Sequence, residues 1–241
     1  LVAWERGDMV RAERYYARAA DLSLMRSRNL DPTWADPSHR NYLRALEGRA
    51  LCLYQLGRFE EAIELFELLG HTSVPDYQGC YYLAGEIYHL TGRLKRAIDC
   101  YTRAPVEPSV LYNLALAYYQ LDDLERAATA FIRAFASNRF LADALLSRAP
   151  TASSPFTGYL SSPMYAEEFL QACRPLWRSA SECLEFMERC YDHPLVQHQL
   201  WSVAAGQELT TDSLHGELLP DTKELQRVHS IAQRVLAGLV A

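Results

Sequence analysis

The sequence predicts an all-α chain built from stacked helix pairs, and three observations predict it. A pattern of small, aromatic and turn residues recurs in LRALEGRALCLYQLGRFEEAIELFELL (Leu43–Leu69), CYYLAGEIYHLTGRLKRAIDCYTRA (Cys80–Ala104) and VLYNLALAYYQLDDLERAATAFIRA (Val110–Ala134). The segments between breakers carry apolar residues at helical spacing, with hardly a stretch of strand alternation. The composition, 49% apolar and 22% charged over 241 residues, suits an ordered chain of one or two domains.

The opening ERGDMVRAERYYARAADL (Glu5–Leu22) carries only the second half of the pattern, in Gly7, Ala12, Tyr16 and Ala19. Residues 1–27 are therefore expected to be the second helix of a truncated pair. The 28–42 stretch holds Pro32 and Pro37 among polar residues and reads as an insertion loop, with Trp34 clamping it onto the stack. Three fuller pairs follow at about 43–75, 78–107 and 108–138. In each, a small residue (Ala50, Gly85, Ala115) lets the first helix approach the second, and a bulky one (Leu53, Tyr88, Tyr118) fills the space beside it. Gly57 and Gly92 suit the left-handed residue that ends a first helix, and Asp122–Asp123 replaces them in the third pair. Ala62, Ala97 and Ala127, thirty-five and thirty residues apart, then pack with Phe66, Tyr101 and Phe131 to seal one pair against the next. A single pair cannot bury its apolar face alone, so stacking is required.

Region 43–148 closes on one more helix, Arg139 to Arg148. Residues 149–163 are rich in Pro, Ser, Thr and Gly and read as a linker with aromatic anchors Phe156 and Tyr159. Residues 164–241 form a helical C-terminal extension. Ser162–Pro163 starts a helix through about Cys173, Ser179–Tyr191 makes a second, and Pro194 starts a third through about Ala205. After a loop at 206–220, Asp221 and Glu224 form a capping box for a helix over about 221–240, whose stripe Leu225, Val228, Ala232, Val235, Leu236 and Leu239 can cap the stack.

On these residues the chain resembles the tetratricopeptide repeat (TPR) superfamily, over about 1–148 and without a defined subfamily. The resemblance implies a right-handed TPR-type α-α solenoid with the helical C-terminal extension. It departs from the family pattern at the shortened second repeat, at Asp122, and at Arg49, where Leu is usual.

Lys and Arg number 24 against 30 Asp and Glu, a net −6 with no basic stripe, so nucleic acid is not an expected partner. No apolar run reaches the ~18–20 residues that cross a bilayer, and no basic-then-apolar leader opens the chain. The first residue is Leu, and a trimmed start is expected. Six cysteines, mostly inside apolar periodic segments, fit core thiols and a reducing, cytoplasmic setting. Phosphate-loop, dinucleotide, zincin and nucleophile-elbow motifs are missing. The best chemical cluster is Cys183, Cys190, His193 and His198, but its spacings match no ordinary zinc knuckle. The chain is thus expected to be non-catalytic, with no cofactor and no metal. The alternative is a metal-dependent or other enzyme with its site in the helical C-terminal region.

The resemblance implies a peptide- or protein-binding concave groove along the first helices. Its candidate residues are Glu47, Leu51 and Tyr54 in the first full repeat, Tyr82, Glu86 and His89 in the second, and Tyr112, Leu116 and Tyr119 in the third. Chaperone-binding family members clamp a carboxylate with cationic residues at such places. Here Glu47 and Glu86 with apolar neighbours would repel one. A tyrosine-lined groove with two carboxylates suits instead a peptide or helix that is apolar with one or two basic residues. Either an external partner or this chain's own 28–41 or C-terminal segment could fill it. The truncated first repeat also leaves the Trp4–Tyr16 face open to homo-oligomer or complex formation.

Overall fold

The structure, a computed structural model, describes residues 2–25, 32–72, 76, 79–150, 158–204 and 222–240. Phe156, the 206–220 loop, Asp221 and parts of the 28–42 and 149–163 stretches lie outside the described residues. The described chain is helical, with no strand among its residues. None of its helices is long and apolar enough to cross a membrane. It divides into two compact units, residues 1–91 with 102–105, and residues 92–101 with 106–241.

The first unit holds α1 (Val2–Glu5), α2 (Met9–Leu24), α3 (Arg40–Gln55), α4 (Phe59–Thr72) and α5 (Cys80–Leu90). Helix α3 packs between α2 and α4, and α4 packs on α5. Ala50, Leu53, Ala62, Phe66 and Leu69 are fully buried, so the small-beside-bulky positions form the core. Two close approaches set the spacing. A Cβ on Gly48 would lie 2.5 Å from the Tyr16 ring, and one on Gly70 would lie 2.8 Å from the Tyr81 ring. Arg49 is not a lapse in the apolar pattern, because its guanidinium meets the buried Glu13 carboxylate at 2.8 Å and ties α3 to α2. Trp34 holds the insertion down through its backbone, donating to the Thr72 carbonyl at the end of α4.

Helix α3 stops where Gly57 turns to φ +70° and Arg58 N–H reaches back to the Leu53 carbonyl at 2.9 Å. That bond satisfies a carbonyl the helix end would otherwise orphan. In the second unit Asp122 makes the same stop at φ +60°, with Asp123 N–H on the Tyr118 carbonyl at 3.0 Å. A short polar side chain tolerates the left-handed region, which is why the turn survives without glycine.

The second unit contains most of α6 (Leu94–Arg103), then α7 (Pro108–Gln120), α8 (Leu124–Ser137), α9 (Arg139–Leu145), α10 (Pro163–Trp177), α11 (Ser181–Tyr191), α12 (Pro194–Ala204) and α13 (Thr222–Val240). Helices α7 and α8 pair, and α8 is further flanked by α11 and by α13, which lies along it. Phe131 and Phe135 of α8 stack 5.8 Å apart, and Tyr191 of α11 meets Phe135 edge-on at 4.9 Å. Side-chain caps start the helices: Asp123 accepts Arg126 N–H, Asn138 accepts Leu141 N–H, and the Ser162 hydroxyl accepts Tyr165 N–H.

Helix α10 continues past its expected end at Cys173, through Pro175, to Trp177. Proline removes one helical bond there. The buried Leu176 and Trp177 hold the turn in place, the indole N–H donating to Asn113 at 3.0 Å.

Candidate functional site

The nine expected groove residues lie on α3, α5 and α7, the first helices of the repeats. On α3, Glu47, Leu51 and Tyr54 fall at i, i+4 and i+7 and share one face. All three are partly exposed, and the Tyr54 ring lies 6.1 Å from that of Phe59. Beside this face sits Asp76, a buried carboxylate that accepts the N–H groups of Cys80 at 3.1 Å and Tyr81 at 2.7 Å. It thereby satisfies orphan donors in the first turn of α5 and places negative charge at the positive end of that helix. Burial raises the Glu47 carboxyl above the ordinary glutamate range, with Asp76 adding to the rise and Arg44 opposing it. Burial, Asp76 and Glu47 together push the Cys80 thiol up. Glu47 is thus a carboxylate short of solvation, on the same unit as the start of α5.

On α5 the picture divides. Tyr82 is partly exposed and directs its hydroxyl at Glu86 Oε1, 3.4 Å away. Glu86 and His89 are buried. As placed, they offer packing and polar interactions within the protein rather than open contact surface.

The third face departs furthest from expectation. Tyr112 and Leu116 have no exposed surface. The Tyr112 ring sits 6.3 Å from Phe169 of α10 and 6.2 Å from Phe135, and its hydroxyl donates to the Asn138 carbonyl at 2.9 Å. Burial holds that phenol well above its usual range, so it stays neutral. Beside it the buried Asn113 accepts the Trp177 indole N–H, and Ser109 N–H meets the Tyr165 hydroxyl at 3.3 Å. Tyr119 remains partly exposed, with its ring 5.2 Å from Phe186 of α11. Tyr112 and Leu116 are therefore corrected from groove residues to core residues. Helix α10 covers Tyr112, because burying several aromatic rings together outweighs leaving one tyrosine wet. The signal was present in Phe169, Cys173 and Trp177, one stripe at i, i+4 and i+8, but nothing in the sequence says which face that stripe meets.

In the C-terminal helices Cys183 and Cys190 are buried on one face of α11. Burial pushes both thiols up, Cys190 to about 12, which disfavours the thiolate that a nucleophile or metal ligand requires. His193 Nδ1 accepts the Leu195 N–H at 3.2 Å. Among the described residues no three His, Cys, Asp or Glu side chains gather as a metal-holding group.

Two family models, each described as a tetratricopeptide repeat, match the chain. One covers residues 38–77 and the other residues 79–104 and again 108–140. No curated protein matches the sequence. The fold is that of an all-α tetratricopeptide-type solenoid with a helical C-terminal extension.

Proposed function

Taking as premise that the chain belongs to the tetratricopeptide repeat superfamily through residues 38–140, we propose that it is a non-catalytic protein–protein interaction module or assembly scaffold. Its partner contributes a peptide or helix that is apolar with one or two basic residues. The docking face is that of α3 and α5, where Leu51, Tyr54 and Tyr82 supply rigid, partly exposed area and Glu47 supplies the charge. The shared, partly exposed face of Glu47, Leu51 and Tyr54 on α3 is the observation that carries the reading, and the raised Glu47 carboxyl is consistent with it. A Lys or Arg from a partner would restore the stabilisation that burial takes from it. The repeats are assigned to about 43–75, 78–107 and 108–138, the partial repeat to 1–27, and the extension to 164–241.

Selection from a random peptide display library tests this. Recovered peptides should combine apolar residues with Lys or Arg. Tyr54→Ala and Tyr82→Ala should each weaken them by roughly tenfold, about 1.4 kcal/mol, with the helical signal unchanged. Undiminished binding to the double variant would remove the α3–α5 face from the proposal.

A further inference from the structure

Tyr159 stands 49% exposed in the short 3-10 turn Tyr159–Ser161 that leads into α10. The turn is pinned to the end of α8. Asn138 Nδ2 donates to the Leu160 carbonyl at 2.7 Å and to the Ser162 carbonyl at 3.3 Å, and the Ser161 hydroxyl donates to the Ser137 carbonyl at 3.1 Å. The ring is fixed as well. It meets the buried Tyr165 edge-on with centroids 5.4 Å apart, and its hydroxyl donates to Glu168 Oε2. A large aromatic surface is thus held in one orientation while half exposed, which lowers the ordering cost of binding to it.

The charge around that ring is negative and, at Glu107, unspent. Glu107 occupies the cap position of α7, but its side chain makes no capping hydrogen bond. Among the described residues nothing donates to its carboxylate and no cation pairs with it. Burial pushes the carboxyl above the ordinary glutamate range. The Tyr159 phenol is raised first by its hydrogen bond to Glu168, and the Tyr165 phenol first by burial, but Glu107 lies near enough to add to both rises. Residues 151–157, next to the turn, contain no Lys or Arg to answer this charge. The rim is apolar. Met164, 56% exposed, shares a face of α10 with Glu168 at i and i+4, and Val106, 38% exposed, precedes Glu107.

We propose that Tyr159, Glu107 and Glu168 receive one basic side chain, a lysine or arginine presented by a partner protein. The cation seats on the Tyr159 ring, where the ring quadrupole and the carboxylates attract it together. Its aliphatic stem lies along the Met164 and Val106 rim, as long basic side chains do on apolar surface. The site stands independently of the α3 and α5 face, because every residue in it belongs to the second unit.

Methyl NMR of the full chain, labelled at its four methionines, reads the outcome, with Met164 as the reporter. The probes are Nα-acetyl-lysinamide and Nα-acetyl-argininamide, with uncharged Nα-acetyl-norleucinamide as the control. Both basic probes should move the Met164 methyl saturably, while the 82%-exposed Met25 stays in place and the norleucine probe moves neither. Tyr159→Leu and Glu107→Gln should each weaken binding roughly two- to fivefold, the worth of one exposed cation–π contact or ion pair. The double variant should lose roughly tenfold, with circular dichroism unchanged in all three. If Tyr159→Leu loosens the turn, Glu107→Gln alone still gives its loss, since the Glu107 side chain does not serve the cap. A Met164 methyl that neither basic probe moves saturably overturns the proposal. So does an equal response to norleucine, an equal movement of Met25, or undiminished binding to the double variant.

Discussion

Substituting Gly70 by alanine tests the close nesting of helices directly. An ideal Cβ at residue 70 would lie 2.8 Å from two carbons of the Tyr81 ring. Relaxed carbon contacts need about 3.5–4.0 Å, so the ring or the helix must move by roughly 0.7–1.2 Å. The ring has little freedom to do so. Tyr81 is 5% exposed, its face carries the Arg103 guanidinium at 4.0 Å, and the same guanidinium bonds its hydroxyl. Overpacking of this kind costs about 1–3 kcal/mol. Alanine in place of glycine returns at most about 1 kcal/mol of helix preference. Gly70→Ala should therefore destabilise the protein by about 1–2 kcal/mol in urea unfolding followed by circular dichroism. In a Tyr81→Ala background the obstruction is gone, and the same change should stabilise by about 0.5–1 kcal/mol. The reversal of sign is diagnostic of the pair. Stabilisation by Gly70→Ala in both backgrounds would refute the claim that the glycine is there to admit the ring.

Asn113→Leu should cost about 1–3 kcal/mol, because the buried Trp177 indole N–H loses its acceptor. Adding Trp177→Phe should recover much of that loss in the same denaturation assay. Phe131→Ala removes a fully buried ring between Tyr112, Phe135, Trp177 and Phe186 and should cost about 3–5 kcal/mol. The Arg148 guanidinium bonds Asp192 and Glu188 and holds the Asp192 carboxyl below the usual aspartate range. The resulting stability is present above the ordinary aspartate pKa and lost as pH falls through the lowered one, so Arg148→Ala should flatten acid unfolding curves in that window. The effect should be small, since the groups face solvent. Binding of a lysine-bearing peptide should weaken on acidification at a pH above the ordinary glutamate range, because Glu47 loses its charge as pH falls through its raised pKa. Glu47→Gln should remove that pH dependence in a fluorescence titration.

The helix pairs were legible because nesting demands small residues at fixed offsets, and Ala50, Ala62 and Ala127 announce it. The stops were legible for the same local reason, even where Asp122 took over from glycine. Local rules did not reveal what lies over a given face. Tyr112 and Tyr82 occupy equivalent positions of successive repeats, yet one is sealed under Phe169 and the other partly exposed. The choice depends on where α10 runs, some fifty residues along the chain, and no spacing near Tyr112 encodes it. Helix α10 runs past Cys173 for a related reason, because the cost of Pro175 to the helix is local while the burial of Trp177 that offsets it is a tertiary effect. Asn113 likewise reads as an ordinary polar residue until the indole that it receives is in place.

Hydrogen–deuterium exchange on the full chain, with and without a peptide recovered from the display selection, tests the interaction-module reading most directly. Slowed exchange should concentrate in α3 and α5, around Leu51, Tyr54 and Tyr82, and should vanish for the Tyr54→Ala, Tyr82→Ala variant. Protection confined to other helices, or a library that yields no binder at all, would contradict it.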